Sequence, residues 1–135
     1  GAEAPKDGLL RVELISQMKL RAALVVLAAC EAGVGTIRSS GEGIGLLSWA
    51  FLRAGAQRVV SSSWPAHDSA TGTLMRRFYL NLSKGLSALK ALATAQESIV
   101  QEALAQDTTD EPGTIPRAWA HPHFWAAFSL TGNPG

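Results

Sequence analysis

Two kinds of apolar pattern alternate along the chain. Residues 24–29 (LVVLAA) form a short continuous apolar run rich in β-branched side chains, with Lys19 and Arg21 before it and a glycine-rich stretch after it. Such a run predicts a strand buried on both faces, as in a parallel sheet. Residues 44–54 change period. Leu46, Leu47, Ala50, Phe51 and Ala54 recur at i, i+3 and i+4 spacing, which predicts a helix, and Gly55 stands where its C-terminal cap falls. Residues 58–63 (RVVSSS) predict a second strand, closed by Trp64 and Pro65. Strand, loop, helix, strand is the unit from which parallel α/β sheets are built.

The helical period returns twice. Residues 70–84 carry Leu74, Phe78 and Leu82 as one stripe, with Asp68 or Ser69 expected as N-cap and Gly85 as the stop. Residues 87–105 place Leu89, Leu92, Ala93, Gln96, Ile99, Val100 and Ala103 on helical spacing behind Ser87, the expected N-cap. Residues 106–116 (QDTTDEPGTIP) are polar and turn-rich and predict a surface loop. Residues 124–131 (FWAAFSLT) predict a last strand, with Trp119, Trp125 and Phe128 packing in the core. Residues 1–6 read as a loose tail.

Composition narrows the function classes. A chain of 135 residues with 47% hydrophobic content suffices for one domain. Its 12 basic and 11 acidic side chains give no polyanion-binding signature, so no nucleic-acid partner is expected. No apolar run of about 18 residues and no basic leader with a cleavage site occurs, which predicts a cytoplasmic protein without membrane contact. A single cysteine excludes an internal disulfide. His121 and His123 stand two apart, a spacing found in metal sites, but no Cys or clear carboxylate completes a ligand set; they read as a turn before the last strand. No metal and no cofactor is expected.

The candidate chemistry begins at Cys30, which ends the first apolar run. Ligands of open α/β sheets bind beyond the carboxyl ends of the strands, so Cys30 is either a nucleophile at the mouth of a crevice or a small buried hydrophobe. The glycines that follow it, Gly33, Gly35, Gly41, Gly43 and Gly45, can pass backbone amides close to a ligand. Fixing such a backbone costs about 1–2 kcal/mol per residue, so residues 33–43 are expected to be mobile until a substrate or partner orders them. Glu31 either lines a pocket or accepts amide bonds within the loop. Ser61, Ser62, Ser63 and Trp64 leave the second strand at the same sheet end. There Ser63 and Trp64 either pair with and wall an extended substrate, or are a strand end with a buried Trp. Asp68 reads as a helix cap in preference to a catalytic acid.

The strings LVVLAACEAG, GEGIGLLSWAFLRAGAQRVVSSSWPAHDSAT, LMRRFYLNL, ALATAQ and HPHFWAAFSLTG resemble, in order and spacing, the C-terminal portion of a CHAT domain. That family is similar to caspases and separases, and the resemblance covers residues 7–132. It implies a caspase-like three-layer sandwich, of which this chain is the C-terminal part of a mostly parallel sheet flanked by helices. It implies Cys30 as nucleophile and its backbone N–H as one oxyanion donor. The base is then a His on a strand upstream of this stretch, followed by a Gly that supplies the second donor. Where the family usually reads Ser-Ala-Cys-Glu-Thr-Gly, this chain has Ala28 and Ala32 in place of the Ser and the Thr. None of His67, His121 and His123 occupies the place of the catalytic His.

The expected reaction is thiolate attack by Cys30 on a peptide bond of a specific partner protein, with the His supplied by the upstream half of the domain or an associated chain. The resemblance also suggests a helical-repeat regulatory region of tetratricopeptide type and a bacterial signalling or defence setting. Caspases read aspartate with a Gln two residues before the Cys and an Arg after it; Ala28 and Glu31 stand there, so acidic specificity is not expected. The competing reading is a catalytically silent interaction module, for which Ala28, Ala32 and the missing His count. Under either reading the strand at 24–29 has one edge without a partner in these residues, and a strand from outside them is expected to cover it.

Overall fold

The computed structural model describes residues 11–28, 42–107 and 112–134. Their elements run α1 (Val12–Gln17), β1 (Val25–Leu27), α2 (Glu42–Arg53), β2 (Arg58–Ser62), α3 (Asp68–Ser83), α4 (Ala88–Ala105) and β3 (Phe128–Gly132), with short 3-10 turns at Arg117–Ala120 and Pro122–Phe124. Both βαβ strands form where the apolar runs place them, shortened to Val25–Leu27 and Arg58–Ser62. The expected tail at 1–6 and residues 33–41 of the expected mobile loop 33–43 lie outside the described residues, whereas Glu42 and Gly43 already belong to α2.

The sheet has the order β1-β2-β3. β1 pairs with β2 in parallel and β2 with β3 antiparallel, so the described sheet is mixed where a mostly parallel one was expected. The connection explains the difference. Between β2 and β3 lie two helices joined by a short turn, an αα-hairpin that goes out and returns. The chain therefore re-enters the sheet at the carboxyl end of β2, and the next strand must run the other way.

Alternate residues of β2 face opposite sides of the sheet. Val60 packs in the core with Ala70, Leu74 and Phe78 of α3 and Ala91, Leu92, Ala95 and Ile99 of α4. Ser61, on the other face, accepts a hydrogen bond from Ser48 of α2 at 3.2 Å. Burying a side chain the size of Leu74, Phe78 or Ile99 contributes about 1.5–3 kcal/mol each, so the α3–α4 side holds most of the apolar stabilisation.

The helical stripes are rotated from their sequence reading in two places. In α4 the buried residues are Ala88, Ala91, Leu92, Ala95, Ile99 and Ala103, whereas Leu89 is 48% exposed and Ala93 is also exposed. Alanines let α3 approach closely, and the larger Leu89 is left outside. In α2, Leu46 is 51% exposed although it falls on the predicted apolar period.

Element ends also differ. Ser87 caps α4, accepting from the Lys90 N–H at 3.4 Å. α3 instead has His67 at its N-cap without a side-chain bond, and Asp68 is its first residue. Asp68 is thus not the cap; its carboxylate sits in the first turn, where the helix dipole favours negative charge. The last strand begins at Phe128 in place of residue 124. Pro122 opens a 3-10 turn, and the Trp125 and Ala126 amides bond back to its carbonyl at 3.2 and 2.8 Å, which removes them from the ladder. Gly55 does end the second helical stretch, at φ +113°, and a Cβ there would lie 2.3 Å from the Leu20 carbonyl oxygen. The six-residue α1 was invisible in the sequence, being too short to show a period; its Ile15 is fully buried against Ala50 and Ala54.

Candidate functional site

The parallel register aligns Val25 with Val59, Val26 with Val60 and Leu27 with Ser61, so β1 and β2 end at the same edge of the sheet. Cys30 follows Leu27 by three residues, and three residues of any backbone reach at most about 11 Å. Cys30 and Glu31 themselves lie outside the described residues. No strand among the described residues pairs with the outer edge of β1, whose three residues are all half-buried.

Of the four residues singled out at the end of β2, two lie inside and two outside. Ser61 and Ser62 are buried, Ser63 is exposed, and Trp64 is half-buried. The pairing with β3 continues past the strand: Ser62 faces Phe128, and the Ser63 N–H donates to the Ala127 carbonyl at 2.8 Å. Trp64 is anchored by its indole N–H, which donates to the His123 carbonyl at 3.2 Å. Its ring stacks on that of His123, with centroids 6.4 Å apart and planes 16° from parallel. The indole is therefore neither the fully buried strand-end Trp of one reading nor a free wall. It is a fixed ring with one part in solvent.

Trp64 belongs to a ring cluster that the sequence did not disclose. His67 lies 5.6 Å from Phe124 and 6.0 Å from Trp119, centroid to centroid. Phe124 in turn stacks on Trp119 at 6.2 Å and meets His123 edge-on at 5.6 Å. The signal was the ring-dense stretch from Trp119 to Trp125, but a contact with Trp64 and His67 across more than fifty residues has no periodicity to reveal it. The tight 3-10 geometry of Pro122–Phe124 presents His123 and Phe124 together at this end of the sheet.

The remaining candidates are structural. Trp119 and Phe128 are buried, and Trp125 is half-buried with its indole N–H donating to the Ala120 carbonyl at 3.2 Å. Gln96 of α4 holds the same segment, donating to the carbonyls of Trp125 and Phe128 at 3.0 and 2.9 Å. His121 Nδ1 accepts from the His123 N–H at 3.2 Å, so this imidazole closes the turn. Among the described residues no group of three His, Cys, Asp or Glu side chains is placed to hold a metal ion, and no helix is long and apolar enough to cross a membrane.

The described arrangement offers a rigid strand end carrying an exposed Ser63, a pinned Trp64 and two imidazoles among aromatic rings. Since the Ser63 N–H is taken by the Ala127 carbonyl, what this strand end exposes is the Ser63 side chain and part of the Trp64 ring.

The chain is 32% identical over 128 residues to tetratricopeptide repeat protein 28 of Mus musculus, covering 95% of the chain and 5% of that relative. It is 32% identical over 119 residues to the Homo sapiens protein of the same name, covering 88% of the chain and 4% of the relative. The chain thus spans about a twentieth of the curated relatives it matches. No solved structure matches it. The family model for the CHAT domain matches residues 1–133, essentially the whole chain, and the chain belongs to the CHAT domain family.

Proposed function

We propose that this chain is the Cys-bearing part of a CHAT-type cysteine endopeptidase, with a caspase-like arrangement of helices on both faces of the sheet. Membership of a family within the caspase-like cysteine peptidases supports the class. The observation that carries the reading is the parallel pairing of β1 and β2, which brings the chain leading into Cys30 to the same sheet edge as Ser63 and Trp64. In the proposed reaction the Cys30 thiolate attacks the carbonyl carbon of a peptide bond. The C–N bond breaks as a histidine from an upstream segment protonates the leaving amine, and water then releases the acyl group from sulfur. The backbone N–H of Cys30 is one oxyanion donor. Glu31, Ser63 and Trp64 contact the substrate, which pairs in extended form along the end of β2.

The substrate is a partner protein, and the domain works in the cytoplasm as part of a longer polypeptide with a helical-repeat region. The relatives' name supports that region, since they are called tetratricopeptide repeat proteins. Because both relatives are mammalian, the bacterial defence setting implied by the resemblance draws no support from them. The test is Cys30→Ala in the full polypeptide. It abolishes cleavage of the partner protein while the melting temperature and partner binding stay at parent values. Cleavage at the parent rate would show that Cys30 is not the attacking group and overturn the reading, and absence of cleavage by the parent polypeptide itself would favour the silent interaction module.

A further inference from the structure

We propose that His123 is the positioning residue for Trp64: its carbonyl and its imidazole together hold the indole in one orientation, so that the part of the ring left in solvent stands ready for the substrate. The proposal deepens the reading above that Trp64 contacts the substrate, and rests on it. A tryptophan side chain turns about its χ angles, and a lone hydrogen bond fixes one point of the ring while its plane stays free to swing. At Trp64 the plane is held as well. Its indole N–H donates to the His123 carbonyl at 3.2 Å. The His123 ring lies 16° from parallel with it at 6.4 Å between centroids, within the separation at which offset rings attract. The bond fixes the edge of the indole, and the stacked ring fixes its plane.

Both ties come from one residue, and that residue is itself fixed. His123 is the middle of the 3-10 turn Pro122–Phe124, and its N–H donates to His121 Nδ1 at 3.2 Å. The Phe124, Trp125 and Ala126 amides donate back to the carbonyls of His121 and Pro122 at 3.1, 3.2 and 2.8 Å. Beyond them the Gln96 side chain of α4 clamps the carbonyls of Trp125 and Phe128. The imidazole of His123 is exposed, so burial does not account for where it stands; its ring contacts do. Phe124 meets it edge-on at 5.6 Å, and His67, the N-cap of α3, backs Phe124 at 5.6 Å. A wall fixed beforehand spares the cost of ordering it when substrate binds. Loss of the ring therefore weakens binding and leaves the bond-breaking step alone.

The experiment uses the full polypeptide. A fluorotryptophan placed at position 64 alone reports the motion of the ring by fluorine NMR. KM and kcat are measured on the peptide that the parent cuts fastest from a proteome-derived peptide library. In His123→Ala the carbonyl stays and the ring goes, so the fluorine line is expected to narrow by about half or more as the indole gains motion. KM is expected to rise about three- to tenfold with kcat within about twofold of the parent. His123→Phe restores a flat ring and is expected to return both readouts to parent values. A fluorotryptophan at position 119, where the ring stacks on Phe124, is expected to keep its line in both variants. An unmoved line at position 64 in His123→Ala would overturn the proposal, because the hydrogen bond alone would then hold the ring. A line at position 119 that narrows as well would overturn it, since His123 would then hold the turn. So would a narrowed line at position 64 with parent KM, or a fall in kcat that His123→Phe does not restore, which would put the imidazole in the chemistry. Failure of the peptidase reading shows separately: the parent itself then cuts no peptide, while the fluorine lines still decide whether His123 holds Trp64.

Discussion

The two sides of the sheet are built differently. Beside Val60, α3 and α4 interlock through Leu74, Phe78, Ala91, Ala95 and Ile99, and the segment from Ile115 to Phe128 closes the cluster from the end. Polar ties reinforce it: Arg77 pairs with Glu102 and donates to Ser98 at 2.9 Å, and Asn81 donates to the Ala91 carbonyl at 3.1 Å. Beside Ser61, a one-and-a-half-turn α1 and the inner stripe of α2 bury Ile15, Ala50 and Ala54, while Leu46 and Trp49 are about half exposed. Among the described residues no strand pairs with the outer edge of β1. The α3–α4 cluster reaches the end of β2 and the ring cluster, and Leu24 and Val26 of the β1 segment pack against it.

The sharpest way to break this contrast is to empty each cluster in turn. Phe78→Ala removes a ring with no solvent exposure from the centre of the larger cluster and is expected to cost about 3–5 kcal/mol. Ile15→Ala empties a site that is equally buried but has few neighbours and a short, easily shifted helix above it, so its cost is expected near 2 kcal/mol. Urea unfolding of the two variants reads both values. Equal losses would mean that the α1–α2 side is as tightly packed as the other, and the asymmetry would be one of size alone.

A second contrast sits at two glycines of similar conformation. Gly55 and Gly85 both hold positive φ, +113° and +87°, and an alanine at either is strained by about 1–3 kcal/mol. Only at Gly55 does an added Cβ also meet backbone, the Leu20 carbonyl oxygen; at Gly85 it meets nothing within 4 Å. Gly55→Ala is therefore expected to cost more than Gly85→Ala, by about 1 kcal/mol or more, in the same unfolding assay. Equal costs would show that the segment leading into β1 moves aside freely.

How far the sequence disclosed all this follows the same division. The stripe Leu74, Phe78 and Leu82 and the cap at Ser87 were legible because long amphipathic helices repeat their pattern several times. The strands at Val25–Leu27 and Arg58–Ser62 were legible as β-branched runs. A last strand was legible too, but its direction and its start were not, because the first is set by the helical hairpin before it and the second by the 3-10 turn at Pro122. Leu46 and Leu89 were misplaced because period alone does not tell which arc of a helix is covered. At the candidate site, Ser63 and Trp64 were found from the end of a strand, whereas His67, His123 and Phe124 join Trp64 only through contacts between distant segments. The two remaining candidates, Cys30 and Glu31, were singled out by the family strings and their place in the chain.

The smallest effect concerns the one hydroxyl pair that ties α2 to the sheet. Ser48 and Ser61 are both buried, 5% and 6% exposed, and their bond lies at the last register position of β1, where Ser61 faces Leu27. Removing either hydroxyl leaves the other without this partner in a site that water reaches poorly. Ser48→Ala and Ser61→Ala are therefore each expected to cost about 1–2 kcal/mol. Removing both leaves no buried orphan, and the double variant is expected to cost less than the two singles together, by about 1 kcal/mol. A double-mutant cycle by urea unfolding measures this coupling directly. Coupling of that sign and size would mean that α2, with its exposed Trp49 face, is locked to the strand end beside Ser63 even on the thinner side of the molecule. Additive costs would mean that α2 is held by its apolar packing, Leu47, Ala50, Phe51 and Ala54, and that the hydroxyl pair adds nothing to it.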